Sequence, residues 1–236
     1  MKQGEEVCDA MRLSLQDVSV QFRKKEALKH LNIILEPGVY GVIGENGAGK
    51  TTLFRSILSL QKYEGMILHE GIDRIGYVPQ KFECMQGLNA QELLEYFCCL
   101  KDIDKSERKM QAARALELVN LTEERTKRMR ELSGGMLRRL GIAQALLGEP
   151  QLLIMDDPTV GLDPAERMNL RKIVEQIQAG RIVLISSHEI REIEHMCQYI
   201  LFLHQGTCLE CTSVERLREK YQTEDLEEIY FQVLNQ

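Results

Sequence analysis

Residues Val39-Tyr40-Gly41-Val42-Ile43-Gly44-Glu45-Asn46-Gly47-Ala48-Gly49-Lys50-Thr51-Thr52 decide how the rest of the chain is read: an apolar run, a glycine-rich turn, then the helix-forming Leu53-Phe54-Arg55-Ser56-Ile57-Leu58. The order predicts a strand, a loop and a helix. Gly44-x4-Gly49-Lys50-Thr51 has the spacing of a phosphate loop, in which glycines let backbone N–H groups close around phosphate oxygens with no Cβ in the way. In that pattern the cradle is the run Gly44, Glu45, Asn46, Gly47, Ala48, Gly49, Lys50, Thr51 and Thr52. Lys50 reaches the β- and γ-phosphates, Thr51 holds Mg²⁺ through its hydroxyl, and the helix starting near Lys50 aims its partial positive end at the anion.

Upstream, Leu13 to Phe22 alternates apolar and polar with one slip at Asp17, and Ala27 to Leu35 is rich in Leu and Ile; both predict strands leading into the Pro37-Gly38 turn. Met1 to Ala10 is polar and carries no structural signal. Downstream, Gly65–Leu68 and Arg74–Val78 predict short strands, the second ending at Pro79-Gln80, where an α/β sheet delivers side chains to a ligand. From Asn89 to about Leu147 the periodicity is helical. Asn89-x-x-Glu92 predicts a capping box for Gln91 to Leu100, and Ser106 to Val119 carries apolar residues at helical spacing on two faces, Met110/Ala113/Leu116 and Ala112/Ala115/Val119. The run Thr122 to Arg130 predicts a solvated, charge-mixed surface. Strand signals return at Gln151–Met155, ending in Asp156-Asp157, and at Arg181–Ile185, ending in Ser186-Ser187-His188. Between them Asp163-Pro164-Ala165-Glu166 predicts a helix start with the glutamate closing a box. Apolar strands alternating with helices imply a parallel sheet covered on both faces. Tyr199–Leu203 and Thr207–Leu209 predict closing antiparallel strands, and Ser213–Gln222 and Asp225–Leu234 terminal helices.

With 236 residues the chain can bury a large core, as one domain or two closely packed subdomains, and a formal charge of −6 argues against a nucleic-acid binder with a broad basic face. No apolar run reaches the roughly 20 residues of a membrane helix and the first residues lack a secretion signal, so a cytosolic location is expected. Seven cysteines without a secretory cue suit reduced thiols. Cys208-Leu209-Glu210-Cys211 forms a C-x-x-C with no second pair at zinc spacing; hairpin packing is its simplest reading, with a metal or redox role left open.

Leu132-Ser133-Gly134-Gly135-Met136, then Asp156-Asp157-Pro158-Thr159-Val160-Gly161-Leu162-Asp163-Pro164, then His188, complete an order in which the chain resembles the nucleotide-binding ATPase subunits of ABC transporters from Leu13 to Leu234. Gly134-Gly135-Met136, Thr159–Asp163 and the ending Asp225–Phe231 are most similar to the ABC-2 exporter subgroup. The resemblance implies an α/β P-loop NTPase (RecA-like) core with a mixed sheet, an antiparallel β-subdomain and an inserted helical subdomain. It implies a single ABC ATPase domain over 1–236: core segments 1–83 and 149–210, helical subdomain 84–148, C-terminal helices 211–236. By the same resemblance Phe22 stacks on adenine in place of the usual Tyr, and Gln80 touches Mg²⁺ and the attacking water. Asp156 holds Mg²⁺ through water. Asp157 is the general base where the family normally has Glu, one methylene and about 1.5 Å shorter. His188 contacts the γ-phosphate and steadies the water, and Lys50 stabilises transferring phosphoryl charge. Ser133, Gly134 and Gly135 form a second anion cradle for the nucleotide of a partner chain, with Asp163 among the nucleotide-binding positions and Met136 replacing the usual Gln.

The implied function is an ATPase subunit, with ATP and Mg²⁺ as cofactors, that powers a separate membrane permease, in the export direction, as a head-to-tail homodimer or heterodimer on the cytoplasmic face of the membrane. The permease is expected beside Gln80, near Phe82, Met85, Leu88, Glu92 and Glu95. A slow-hydrolysing, ATP-gated regulatory module is the alternative that Asp157 raises. A DNA- or ribosome-directed ATPase is disfavoured by the acidic composition and the lack of a coiled-coil insertion, and a GTPase by the lack of an Asn-Lys-x-Asp motif.

Overall fold

The computed structural model describes residues 11–23, 25–82 and 85–235, so residues 1–10 lie outside it. Strands β1 (Arg12–Phe22) and β2 (Lys25–Leu35) form an antiparallel pair, β3 (Gly38–Ile43) runs into the phosphate loop, and α1 (Lys50–Ile57) leaves it. β4 (Glu64–Glu70) pairs with the free edge of β1, giving a three-stranded sheet ordered β2-β1-β4. β5 (Ile75–Val78) precedes the helical stretch: α2 (Ala90–Leu100), α3 (Arg108–Leu118), a 3₁₀ turn at Met129–Glu131 and α4 (Gly134–Leu146). Then come β6 (Leu152–Met155), α5 (Pro164–Ile177), β7 (Ile182–Ser187), α6 (Ile190–Ile193), β8 (Tyr199–His204), β9 (Thr207–Ser213), α7 (Val214–Tyr221) and α8 (Leu226–Leu234).

The slip in the β1 alternation is a bulge. Asp17 takes a φ of 53°, the register jumps between Leu15 and Val18, and Leu13, Leu15, Val18 and Val20 all stay buried despite the odd count. The second sheet is ordered β5-β6-β7-β3-β8-β9 and is parallel except at its last edge. β8, expected as an antiparallel strand, runs parallel to β3; only β9 is antiparallel, and it continues to Ser213 rather than stopping at Leu209. Successive residues of these strands enter two different cores. Ile43, Leu153, Met155, Ile185 and Phe202 join the core built with the helical stretch, α5 and the C-terminal helices. Val42, Leu152, Ile154, Leu184 and Leu201 join the one built with α1 and the antiparallel sheet. Burial on both faces is why β3, β6 and β7 read as unbroken apolar runs.

In the helical stretch the Asn89 box is complete: Asn89 Oδ1 accepts from Glu92 N–H and Glu92 Oε2 from Asn89 N–H, both at 2.9 Å. α3 starts at Arg108 rather than Ser106, whose N–H and hydroxyl are taken by Asp104, and it buries Ala112, Ala115, Leu116 and the following Val119 while Met110 and Ala113 are exposed. The charged run is exposed as expected, except that Glu124 is half-buried and Met129 is a buried anchor. At α5, Asp163 accepts from Glu166 N–H at 2.9 Å, but Glu166 does not close the box. Its carboxylate packs where a Cβ on Gly135 would be and pairs with Arg139 at 3.3 Å, a stronger partner than a backbone N–H.

The C-terminus of α4 is closed by Lys101 from the end of α2: Nζ donates to the carbonyls of Gln144, Ala145 and Leu147 at 2.9, 3.2 and 3.0 Å. These are among the carbonyls a helix end leaves without intrahelical partners. Burial, with Arg74 adding repulsion, pulls the Lys101 ammonium down from 10.5 to about 8, against the opposing pull of Cys98. Between those values the unfolded chain holds more protons than the folded one, so this group's contribution rises with pH, is complete above 10.5, and is lost as pH falls through 8. In urea titrations from pH 7.5 to 10 the unmodified protein should therefore gain stability relative to Lys101→Met as pH rises; parallel curves would refute the assignment.

Candidate active site

The loop between β3 and α1 is gripped from two sides. A Cβ on Gly44 would fall 2.2 Å from the Leu203 carbonyl of β8, and one on Gly49 would fall 2.7 Å from the Ala27 carbonyl of β2. Gly49 also takes a φ of +114°, which a side chain would oppose. Gly206, in the β8–β9 turn, donates to Ala48 O at 2.9 Å and accepts from Lys29 N–H at 2.8 Å, so the same turn ties the loop to β2.

Lys50 is buried at 6% exposure, and its Nζ donates to Gly44 O at 2.6 Å and Glu45 O at 3.3 Å. Both partners are carbonyls. Burial lowers its pKa, and the charges of Asp157 and Asp156 work the other way. Thr51 Oγ1 donates to Asp156 Oδ2 at 2.9 Å, and Ser186 Oγ donates to Asp156 Oδ1 at 2.8 Å while accepting from Asp157 N–H at 2.7 Å. Burial pushes the Asp156 carboxyl up against the two hydroxyls that favour its ionised form. Asp157 has a left-handed backbone, φ 46°, which Asp tolerates better than most residues. Its Oδ2 is 3.5 Å from Gln80 Nε2 and its Oδ1 3.9 Å from His188 Nδ1; Oδ1 is buried and has no hydrogen-bond partner.

Phe22, Asn46, Gly47, Gly49, Lys50, Thr51, Thr52, Gln80 and Asp157 line one cavity of about 320 Å³. Phe22 is 46% exposed, so its ring is free rather than packed into the core. Asp156 joins through Thr51, and His188 through Asp157. Ser133, Gly134 and Gly135 do not line this cavity. They open α4, where Ser133 Oγ accepts from Met136 N–H at 3.2 Å, and Asp163 is engaged in capping α5. A Cβ on Gly134 would meet nothing within 4 Å, so among the described residues nothing requires a glycine there. Three residues were not singled out from the sequence. Lys25 lines the cavity, Ser186 bridges the two aspartates, and Arg138 donates to Gln80 O at 2.9 Å and Val160 O at 3.2 Å. Only Ser186 carried a signal, as a polar residue extending the apolar run of β7.

The donors fit Mg²⁺. Thr51, Asp156 and Gln80 offer hard oxygens in small number, and the orphaned Asp157 Oδ1 adds a buried acceptor beside them, as suits a cation that keeps waters and completes its shell from phosphate. Cys208 and Cys211 lie apart from this site on β9, their thiols pushed up by burial to about 12 and about 11.

A phosphate loop at the C-terminal end of a parallel strand, with carboxylates, a glutamine and a histidine converging from the ends of neighbouring strands, defines a nucleotide-binding α/β protein of the P-loop class. The family model for ABC transporters matches residues 28–160, more than half of the chain. An ABC transporter ATP-binding protein of Synechocystis is 34% identical over 79% of this chain, and the chain spans about half (56%) of that relative's length. The linearmycin resistance ATP-binding protein of Bacillus subtilis is 34% identical over 82% of the chain and 67% of its own length. The ABC transporter ATP-binding protein NatA of the same organism is 30% identical over 94% and 98%. Among solved structures, an ATP-binding subunit of an ABC transporter superposes with a TM-score of 0.83 over 94% of this chain and 99% of its own, at 23% identity. A dimeric ATP-binding cassette in a post-hydrolysis state with ADP and phosphate gives 0.75 over 85% and 98%, at 24% identity. The chain belongs to the ABC transporter family.

Removing the Ser186 hydroxyl would leave both the Asp157 N–H and Asp156 Oδ1 short of a partner in a buried place. Ser186→Ala should cost about 1–3 kcal/mol of unfolding free energy in urea denaturation, the range for stranded buried polar groups. A loss under about 0.5 kcal/mol, the level of an ordinary surface change, would show that the bridge is dispensable.

Proposed function

We propose that the chain is the ATP-binding and ATP-hydrolysing motor subunit of an ABC exporter of the ABC-2 type, acting on a separate permease at the cytoplasmic face of a membrane. The observation that carries the reading is Lys50, a buried ammonium held on loop carbonyls beside a cavity ringed by Thr51, Gln80 and Asp157. A triphosphate would supply the missing charge. Phe22 offers a ring face to adenine, and the loop N–H groups with Lys50 bind the phosphates. Thr51, Asp156 and Gln80 would hold Mg²⁺, which when bound neutralises phosphate charge. Asp157 accepts the proton of the attacking water, and His188 steadies that water.

A head-to-tail pair, of identical or related chains, is supported by Ser133, Gly134 and Gly135. They form an anion-ready helix start outside the cavity, and Gly134 faces open space. One domain over 1–236, with the helical subdomain at 84–148, fits this arrangement. Among the described residues no helix is long and apolar enough to cross a membrane, which fits a separate permease. The linearmycin relative is named for resistance, which supports export. Of the residues expected to meet the permease, Glu92 is already committed to the α2 cap and Glu95 accepts from Gln91, so exposed Met85 is the cleaner probe of that contact.

Purified protein with Mg²⁺ and ATP should hydrolyse ATP and dimerise with nucleotide; failure of both would sink the reading. Asp157→Asn should lower kcat by about 10²–10⁴-fold while ATP affinity stays within a few-fold. The regulatory alternative draws support from the short arm of Asp157 on its left-handed backbone. It requires Asp157→Glu to raise turnover greatly, whereas the motor reading expects near-equal turnover.

A further inference from the structure

The helix that carries the second anion cradle is tied to the first site by one side chain. Arg138 lies one turn beyond Gly134 on α4, and Gly141, one turn further, packs under the Phe82 ring, where a Cβ would sit 3.2 Å from it. This stripe of α4 therefore faces the Gln80–Phe82 segment. Arg138 Nη1 donates to Gln80 O at 2.9 Å and Nη2 to Val160 O at 3.2 Å. Val160 N–H in turn meets Asp157 O at 3.4 Å, so the turn that Arg138 grips is closed on Asp157. Both acceptors are backbone carbonyls, and the guanidinium is a planar fork that fixes the distance between them, which a flexible lysine would not.

Simple adhesion of the helical stretch to the sheet does not account for the contact. That task is met at the other end of α4 by Gln144, whose amide donates to Tyr77 O of β5 at 2.8 Å. Arg138 instead joins three pieces that bear on chemistry: the Gln80 backbone, the Asp157 turn, and the helix whose first residues are Ser133-Gly134-Gly135.

The geometry points to Arg138 as a positioning residue that links a chain's own nucleotide site to the cradle it presents to its partner's nucleotide. This rests on the dimeric reading proposed above. A displacement of Gln80 or of the Asp157 turn then moves α4 as a lever, and the two sites of the dimer fire cooperatively.

The test compares the full chain with Arg138→Met, which keeps the stem and removes the donors, and with Arg138→Lys. Arg138→Met should lower kcat about 10- to 100-fold, the scale of a small misplacement of reacting groups. Its Hill coefficient for ATP should fall towards 1, its affinity for ATP should stay within about twofold, and Arg138→Lys should recover only part of the rate. Unchanged turnover and cooperativity in Arg138→Met would overturn the inference and leave the dimeric reading intact. So would a defect seen wholly as weaker ATP binding or as a lower nucleotide-free melting temperature. An unmodified chain that neither dimerises nor hydrolyses would instead overturn the dimeric reading, and this inference with it.

Discussion

The phosphate loop has to pass between two sheets at backbone-contact distance, and most of the molecule serves that constraint. On one side β8 brings the Leu203 carbonyl against Gly44, on the other β2 brings the Ala27 carbonyl against Gly49, and the Gly206 turn fastens both to Ala48. A side chain at Gly44 or Gly49 would push a sheet away. The loop therefore does not depend on a ligand for its shape: it is clamped open by neighbours that are themselves set by the two cores. Lys50 completes the arrangement by turning back onto Gly44 and Glu45. Its ammonium is held desolvated on neutral dipoles, which lowers its pKa against the opposing charges of Asp157 and Asp156.

The same sheet that clamps the loop assembles the chemistry at its edge. β5, β6 and β7 end at Gln80, at Asp156-Asp157 and at Ser186 to His188, and because these strands lie in adjacent parallel register their ends arrive together. Ser186 keeps the two neighbouring aspartates distinct. It gives a proton-bearing hydroxyl to Asp156 and takes the N–H of Asp157, leaving Asp156 doubly donated to and Asp157 Oδ1 bare. Two adjacent carboxylates thus acquire different surroundings, one with both oxygens hydrogen-bonded by hydroxyls and one with a buried oxygen left open.

Features fixed by short-range chemistry were legible in the sequence. The glycine spacing of the loop, the Asn89–Glu92 box and the unbroken apolar strands each depend on residues that are neighbours in the chain, and the Asp17 slip announced its own bulge. What could not be read depends on partners far apart in sequence. Glu166 had a local option, closing the α5 cap, and a distant one, Arg139; the charged partner wins. β8 looked like an antiparallel closing strand because it is followed by a hairpin, yet its direction is set by β3, 159 residues earlier by the numbering of their paired residues, as Tyr199 less Tyr40. Arg138 carried no signal, since a single arginine on a helix looks like any surface charge until its two carbonyls are placed.

Asp157 shows how backbone and chemistry constrain one another. The chain leaves β6 through a left-handed residue so that Asp157 N–H can reach Ser186 and its carbonyl can face the Val160 turn. A non-glycine residue in that region costs about 1–2 kcal/mol, least for Asp and Asn, whose short polar side chains interact locally. A glutamate would extend the carboxylate by about 1.5 Å but would carry more of that backbone cost. The shorter acid compensates by its surroundings: Gln80 at 3.5 Å and His188 at 3.9 Å flank the carboxylate on different oxygens. The surroundings of the Asp157 carboxylate are therefore set by how closely the Gln80 segment is held, and Arg138 is the side chain holding that segment's carbonyl.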